Sequence, residues 1–516
     1  MTTKKNFTAT VCILFLLLSA LFVRLPFYKN AQSMPITDGG LFYTMTIELV
    51  QNNFLLPKTT QYNYQDIPFT YPPFSFYLTG FINKFFGVDL FKMFLYLPLI
   101  SNLLSIPAFF LLSKELLHET NKAFIASFVF TVSISSFECL IMGGGIARSP
   151  AFALFILMTW LYISGLRRRN KLRVIFAGIS YGLIFGFHIE TGYAATLTIP
   201  LITICFSKNK FGIYSLLSVF LLGLSIYSPV FLLATRQNGI EPFLNALRSG
   251  SFNIRYSLYN LFSFDPFGIS PVLNIVGVFT IFGLIRLILK KDWFLPLWIF
   301  IVYFLDPRSF DRFAVISASL VFSYTIFNFI PRIYAENEYL WGKKWMNFQN
   351  LISFALSLTV AFATTFVMKN DLTNLHELAL SDRMAFKWIN ENISSNKEFV
   401  VIPTGNWWSD SVSEWFPALT KQKSYLTVQG LEWKDSFQSK QEELNEFLLD
   451  RYSFGLAVAI SNLHSQVDYV YCSTNESDSI ENHCPIELEG FESIYNNGNV
   501  IIYQDISNSL SHVEEK

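Results

Sequence analysis

Asp38 is the first residue in this chain with the means to do chemistry. It opens the stretch TDGGLFYTMTIELVQNNFLLPKTTQYNYQDIPFTYPP, Thr37 to Pro73, directly after an apolar N-terminal run. A carboxylate at a membrane edge, beside aromatic side chains, is costly to hold without a partner or a task. Two tasks suit it. It could cap a helix, because Asp satisfies the free amides at a helix start, or it could accept a proton during group transfer. The spacing leaves both open. Behind it, Leu41, Phe42, Met45, Ile47, Leu49 and Val50 form an apolar stripe opposed by Glu48 and Gln51. That pattern predicts a helix lying at an interface over 41–54 rather than one crossing it.

Other polar groups could serve the same site. The turn MGGGIARSP, Met142–Pro150, offers Arg148 behind three glycines, either as an anion-binding nest or as a tight turn between packed helices. His188 and Glu190 stand together between two apolar runs, and the segment DPRSFDR carries Asp306, Arg308, Asp311 and Arg312. Lys92 lies at the start of an apolar run. For His188 and Glu190 a satisfied pair at a helix end, and for DPRSFDR mutual ion pairing, is the simpler alternative to contact with substrate. The six histidines are scattered, and no His-Glu-x-x-His spacing occurs. The acids stand at no spacing diagnostic of a metal, so the cofactor reading stays open between none and a divalent cation.

The elements that would hold these residues follow from composition. With 52% hydrophobic, 17% aromatic and 15% charged residues, the chain is far poorer in charge than a typical soluble domain, at about 25%. That predicts a membrane protein whose partners include the bilayer. No basic, aromatic-interleaved block suits nucleic acid. Roughly eleven spans of about 20 residues are expected, near 8–25, 90–113, 121–141, 150–166, 173–188, 190–206, 211–234, 271–289, 293–306, 312–331 and 348–368. Residues 74–86 are too short to cross and are expected as a second interfacial helix. Leaving them out places Lys114, Arg167, Arg168, Arg169, Lys208, Lys290 and Lys343 on one side, as the positive-inside pattern requires. The N-terminus is then cytoplasmic, and Asp38, Arg148, His188 and Arg312 face the other side.

After residue 369 the composition turns polar and mixed. Residues 1–369 are expected as the transmembrane domain, with a first extracytoplasmic loop at 26–89, and 370–516 as an extracytoplasmic α/β domain. KEFVVIP, KSYLTVQG, DYVYC and the hairpin FESIYNNGNVIIYQD are its expected strands, and MAFKWINENI and SVSEWFPALT its helices. Cys472 and Cys484 lie in this tail, in a compartment that permits a disulfide. Cys12, Cys139 and Cys205 lie in apolar runs and are expected to be core residues.

This arrangement resembles the GT-C membrane glycosyltransferases, especially the branch of protein O-mannosyltransferases and lipid A aminoarabinose transferases. The likeness rests on a first span ending at Arg24 and Pro26, the acid Asp38 a dozen positions on, and Tyr71-Pro72-Pro73 opening the second interfacial helix. It implies an all-α polytopic fold of GT-C type, with Asp38 catalytic and Tyr71 at the start of the Pro-Pro motif. It also implies a polyprenyl-phosphate-linked sugar as donor and a glycan, lipid or protein acceptor in the cell envelope. Gly39 stands where mannosyltransferase-like members carry a second acid, and Tyr71 where the aminoarabinose branch carries a Lys. A cation for the donor phosphate must then come from elsewhere, Arg148 first and Lys92 next. Transfer is expected to invert the sugar carbon. A lipid or sugar transporter, or a non-catalytic assembly protein of the same fold, is the alternative. The sidedness is testable. Single cysteines at Asn170 and Ser439, in a background without native cysteines, are expected to react with an impermeant thiol reagent from opposite sides of the membrane; labelling from one side would refute the assignment.

Overall fold

The computed structural model describes residues 2–29, 34–35, 37–249, 275–305, 310–334, 378–403, 410–463, 467–473, 484–485 and 487–506. Long apolar runs without interior charge fold into long helices. α1 (Thr2–Lys29) carries the apolar stretch Ala9–Phe27, and α2 (Gly39–Gln51) follows. A short ribbon, β1 (Thr59–Thr60) with β2 (Ile67–Pro68), leads to α3 (Phe74–Phe86). Then come α4 (Leu90–Leu117), α5 (Thr120–Val132), α6 (Glu138–Ile141), α7 (Gly145–Arg168), α8 (Lys171–Phe187), α9 (Ile189–Phe206), α10 (Lys210–Asn238) and α11 (Glu241–Ser249). Asp89, Asn170 and Asn209 each accept a backbone N–H at the start of α4, α8 and α10, which is where the sequence turns from polar to apolar. α12 (Ile275–Leu289), α13 (Phe294–Leu305) and α14 (Phe310–Tyr334) complete the helical part.

Among the described residues, five helices are long and apolar enough to cross a membrane, six if one bent pair counts as a span. The protein is a multi-pass membrane protein. The expected span at 348–368 lies outside the described residues. The one expected at 121–141 is not straight: its helix stops at Val132, and the chain bends by 89° into Ile134–Ile141. Arg24 of α1 fills the break. Its Nε donates to Asn102 Oδ1 at 2.6 Å and its Nη1 to the Thr131 carbonyl at 2.9 Å, while the guanidinium lies 4.5 Å from the centre of the Phe137 ring. A helix end inside a membrane needs such partners, because no water is there to supply them.

The C-terminal part adds α15 (Leu380–Asn392), β3 (Glu398–Val401), α16 (Ser411–Thr420), β4 (Lys423–Ser424), α17 (Phe437–Phe454), α18 (Leu456–Ser461), β5 (Tyr469–Ser473), β6 (Phe491–Asn496) and β7 (Val500–Asp505). They form a five-stranded mixed sheet ordered β4-β3-β5-β7-β6, parallel across β4, β3 and β5 and antiparallel beyond. Strand residues alternate between its two faces. Phe399, Val401, Tyr471 and Ile502 pack beneath α15 and α16, while Val400, Ile402, Val470 and Ile501 face the other way. That second face joins a core continuous with Leu41, Phe42, Met45, Phe76, Phe94 and Ile146 of the helical part. Cys472 and Cys484 are disulfide-bonded beside β5.

α7 is 24 residues long, about 36 Å at 1.5 Å per residue. It carries Arg148 in its first turns and Arg167 and Arg168 in its last. Arg168 pairs there with Glu115 of α4 at 2.7 Å. The glycine turn and the basic cluster therefore sit at opposite ends of one helix. Replacing Arg24 by Met would leave Asn102 and the Thr131 carbonyl short of a donor. The variant is expected to be less stable in detergent by about 2–4 kcal/mol and so to melt lower, with Arg24→Lys in between; thermal unfolding of the purified protein ranks both.

Candidate active site

The site begins with two residues in an unfavourable backbone shape. Thr37 (φ 63°) and Asp38 (φ 71°) both occupy the left-handed region just before α2. Non-glycine residues there cost on the order of 1–3 kcal/mol each. In that conformation the Asp38 side chain makes no hydrogen bond to its own helix. It points instead to Arg148, whose Nη2 donates to Asp38 Oδ2 at 2.7 Å. Of the two tasks open to Asp38 from sequence, capping is thus not the one its side chain performs.

Glu414 of α16 does the capping. Its carboxylate accepts the Thr37 N–H at 2.7 Å and the Gly40 N–H at 3.0 Å, and the Gly39 N–H bonds to it as well. Burial raises the Glu414 pKa and the Asp38 charge adds to that, while the backbone donors oppose both. Neighbouring bonds tie the same surfaces together: Trp415 Nε1 donates to the Pro35 carbonyl at 3.1 Å, and Tyr62 Oη to the Glu414 carbonyl at 2.7 Å. Asn63 exchanges two bonds with the Ser424 backbone, so the first loop closes the β4 edge of the sheet. The two glycines after Asp38 explain the close approach. A Cβ on Gly40 would stand 2.4 Å from the Glu414 carbonyl oxygen, and one on Gly39 2.9 Å from the Trp415 ring.

Arg148 is seated by the glycine turn. A Cβ on Gly144 would lie 2.7 Å from the Arg148 Cζ. The Gly144 N–H donates to the Thr37 carbonyl at 2.6 Å and the Gly145 N–H to the Met142 carbonyl at 2.7 Å. Two of the three glycine amides are thereby committed to the protein and do not form a nest for an anion. The Asp38 and Arg148 side chains remain 23% and 20% exposed, so the pair is sheltered yet reachable. Burial raises the Asp38 pKa, and the Arg148 charge pulls it back down.

A second ion pair stands nearby. Arg312 Nη2 donates to Glu190 Oε2 at 2.8 Å, with His188 Nε2 3.8 Å from the same oxygen. The His188 side chain accepts the Thr191 N–H and so starts α9. Tyr71 links the two pairs: its pKa is pushed up first by burial, and the charges of Arg148, Asp38, Glu190 and Arg312 all act on it. Its ring lies 4.4 Å from Phe42 and 6.5 Å from His188. The structure thus gathers Asp38, Arg148, Tyr71, His188, Glu190 and Arg312. Lys92 sits exposed in the first turn of α4, and none of the polar contacts among the described residues joins it to Asp38 or Arg148. Arg308 lies outside the described residues. Cys472 lies in β5 and Cys484 is tied to it by the disulfide, away from these groups. Sequence reading missed Glu414 and Tyr62; Glu414 stood in an expected helix, with nothing local to mark its reach.

Among the described residues, the donor set does not fit a resident divalent cation. Asp38 is matched to an arginine, the Glu414 carboxylate is taken up by backbone N–H groups, and no three acidic, histidine or cysteine side chains converge among the described residues.

No protein-family model and no curated protein matches the chain. Solved structures match across most of its length. The oligosaccharyltransferase AglB from Archaeoglobus fulgidus, in complex with an inhibitory peptide and a dolichol-phosphate, is similar at 15% identity and TM-score 0.58, over 90% of this chain and 69% of that one. ArnT from Cupriavidus metallidurans is similar in the apo state at 12% identity and TM-score 0.59, over 97% and 99%. Its form bound to undecaprenyl phosphate matches at 11% and 0.55, over 96% and 98%. Identities this low speak to fold alone, and the fold is that of the GT-C membrane glycosyltransferases.

Proposed function

We propose that the chain is a glycosyltransferase that moves a sugar from a polyprenyl-phosphate donor to a hydroxyl acceptor on the extracytoplasmic face. The observation that carries this reading is the Asp38–Arg148 pair. The carboxylate is released from capping by Glu414, fixed by an arginine, and left partly open at the helix ends where donor and acceptor would meet. The bound dolichol-phosphate of AglB and undecaprenyl phosphate of ArnT support the donor class. The topology belonging to this reading has about eleven crossings, the N-terminus cytoplasmic, and residues 370–516 outside as the C-terminal α/β domain.

The acceptor oxygen attacks the anomeric carbon as the bond from that carbon to the phosphate oxygen breaks. Asp38 takes the acceptor proton, and the electron pair leaves with the lipid phosphate. The phosphate needs no proton from the protein, but it needs positive charge as it departs. Arg148 engages Asp38 through one nitrogen and presents the rest of its fork to that phosphate, and Arg312 adds a second positive charge near Tyr71. Attack opposite the leaving phosphate inverts the sugar carbon.

Asp38→Asn keeps size and an oxygen for Arg148 but cannot take a proton near neutral pH. It is expected to lose about a hundred- to ten-thousand-fold in transfer rate, with expression and membrane insertion unchanged. A rate near wild type would remove Asp38 from the chemistry. The pH profile gives a second check. The acid limb of transfer should lie above the pH where an ordinary aspartate titrates, because burial raises the Asp38 pKa. Arg148 holds that pKa down, so Arg148→Gln is expected to move the limb to higher pH while also weakening donor binding. An unmoved limb would separate Arg148 from the Asp38 proton.

A further inference from the structure

We propose that Glu414 is a positioning residue for Asp38: it holds the turn that aims the Asp38 carboxylate, so that the reacting loop is set by the C-terminal part of the chain. This rests on the reading of Asp38 as the proton acceptor. Glu414 stands 377 positions from Thr37 and 374 from Gly40, yet its carboxylate bonds to both amides. It is fully buried, as is the Trp415 ring beside it. The consecutive left-handed residues Thr37 and Asp38 turn backbone N–H groups toward one point, the concave arrangement that binds anions. A carboxylate from a distant helix occupies that point. Thr37 and Asp38 lack glycine's freedom in the left-handed region, and two such residues in succession need an anchor. Without the Glu414 anchor the segment can relax to the ordinary start of α2, where an aspartate side chain folds back onto its own amides. Asp38 would then cap the helix and no longer face Arg148. The glycines at 39 and 40 serve the same seat, since a side chain at either would push α16 away.

The expected result is a loss of turnover with little loss of binding. Glu414→Gln keeps one oxygen but sets an NH₂ group against backbone donors, and Glu414→Asp falls short by a methylene. Both should lower kcat about ten- to a hundred-fold while KM for the lipid donor changes by about threefold or less, in line with a misplaced reacting group. Hydrogen exchange of amides 37–42 should rise in both, with the amides of β3, β5 and β7 unchanged. Gly40→Ala presses on the same contact from the other side. Combined with Glu414→Gln, its effect should be less than the product of the two alone, because both disturb one interaction. If Glu414→Gln, Glu414→Asp and Gly40→Ala all keep wild-type kcat and wild-type exchange while Asp38→Asn is inactive, the positioning role is refuted and the base assignment stands. If Asp38→Asn stays active, the base assignment fails, and the exchange measurement still decides whether Glu414 holds the turn. Should Glu414→Gln not fold, Gly40→Ala and Glu414→Asp carry the test.

Discussion

The structure turns on one buried carboxylate. Two consecutive left-handed residues at Thr37 and Asp38 are held because Glu414 accepts the backbone N–H groups around them. Its hydrogen bonds to those amides oppose the backbone strain. The geometric result matters more than the energy. A helix start already supplied with an anion has no use for the side chain at its own N-cap position, so Asp38 is free to face Arg148. The segment is thereby bound on both sides, with Glu414 on its amides and the Gly144 N–H on the Thr37 carbonyl.

That arrangement requires the helical part and the C-terminal sheet to meet as a rigid interior. One apolar core runs from Leu41, Phe42 and Phe76 through Ile67 and Phe69 to Val400, Val470 and Ile501. The first loop is embedded in it. Tyr62, Asn63 and Gln65 bond to the C-terminal part, and Trp415 reaches back to Pro35. Deeper in the helices, Arg24 performs a comparable task at the break after Val132, where unpaired backbone groups would otherwise lie in an apolar surround. The two sites share one logic: a charged side chain from a distant segment satisfies a helix end that cannot satisfy itself.

The charges at the site are arranged for sharing. Asp38–Arg148 and Glu190–Arg312 are two separate pairs rather than one network of acids, with Tyr71 placed to feel both. In the proposed transfer, the two guanidiniums would receive the anionic lipid phosphate. Among the described residues, no three acidic, histidine or cysteine side chains converge as a divalent cation would need.

Much of this was legible in the chain. Apolar run lengths marked the helices, the short apolar segments after residue 397 marked the strands, though KSYLTVQG pairs only at Lys423–Ser424, and the loop cations placed Arg148 and Arg167 at opposite ends. Asp38 stood out because a carboxylate beside a membrane exit has few bland uses, and Arg148 because glycines preceded it. Those signals are local, and local spacing reflects backbone periodicity directly. The break after Val132 was not legible, because the guanidinium that satisfies it stands more than a hundred residues away in sequence. The choice between cap and reactant at Asp38 was equally closed to sequence reading. An Asp before a helix suits a cap and a proton acceptor equally by local rules, and only the arrival of Glu414, brought by packing from another part of the chain, removes the first. Local chemistry named the candidates, and the tertiary contacts assigned the work, because a hydrogen bond can be claimed by whichever acceptor the fold brings nearest.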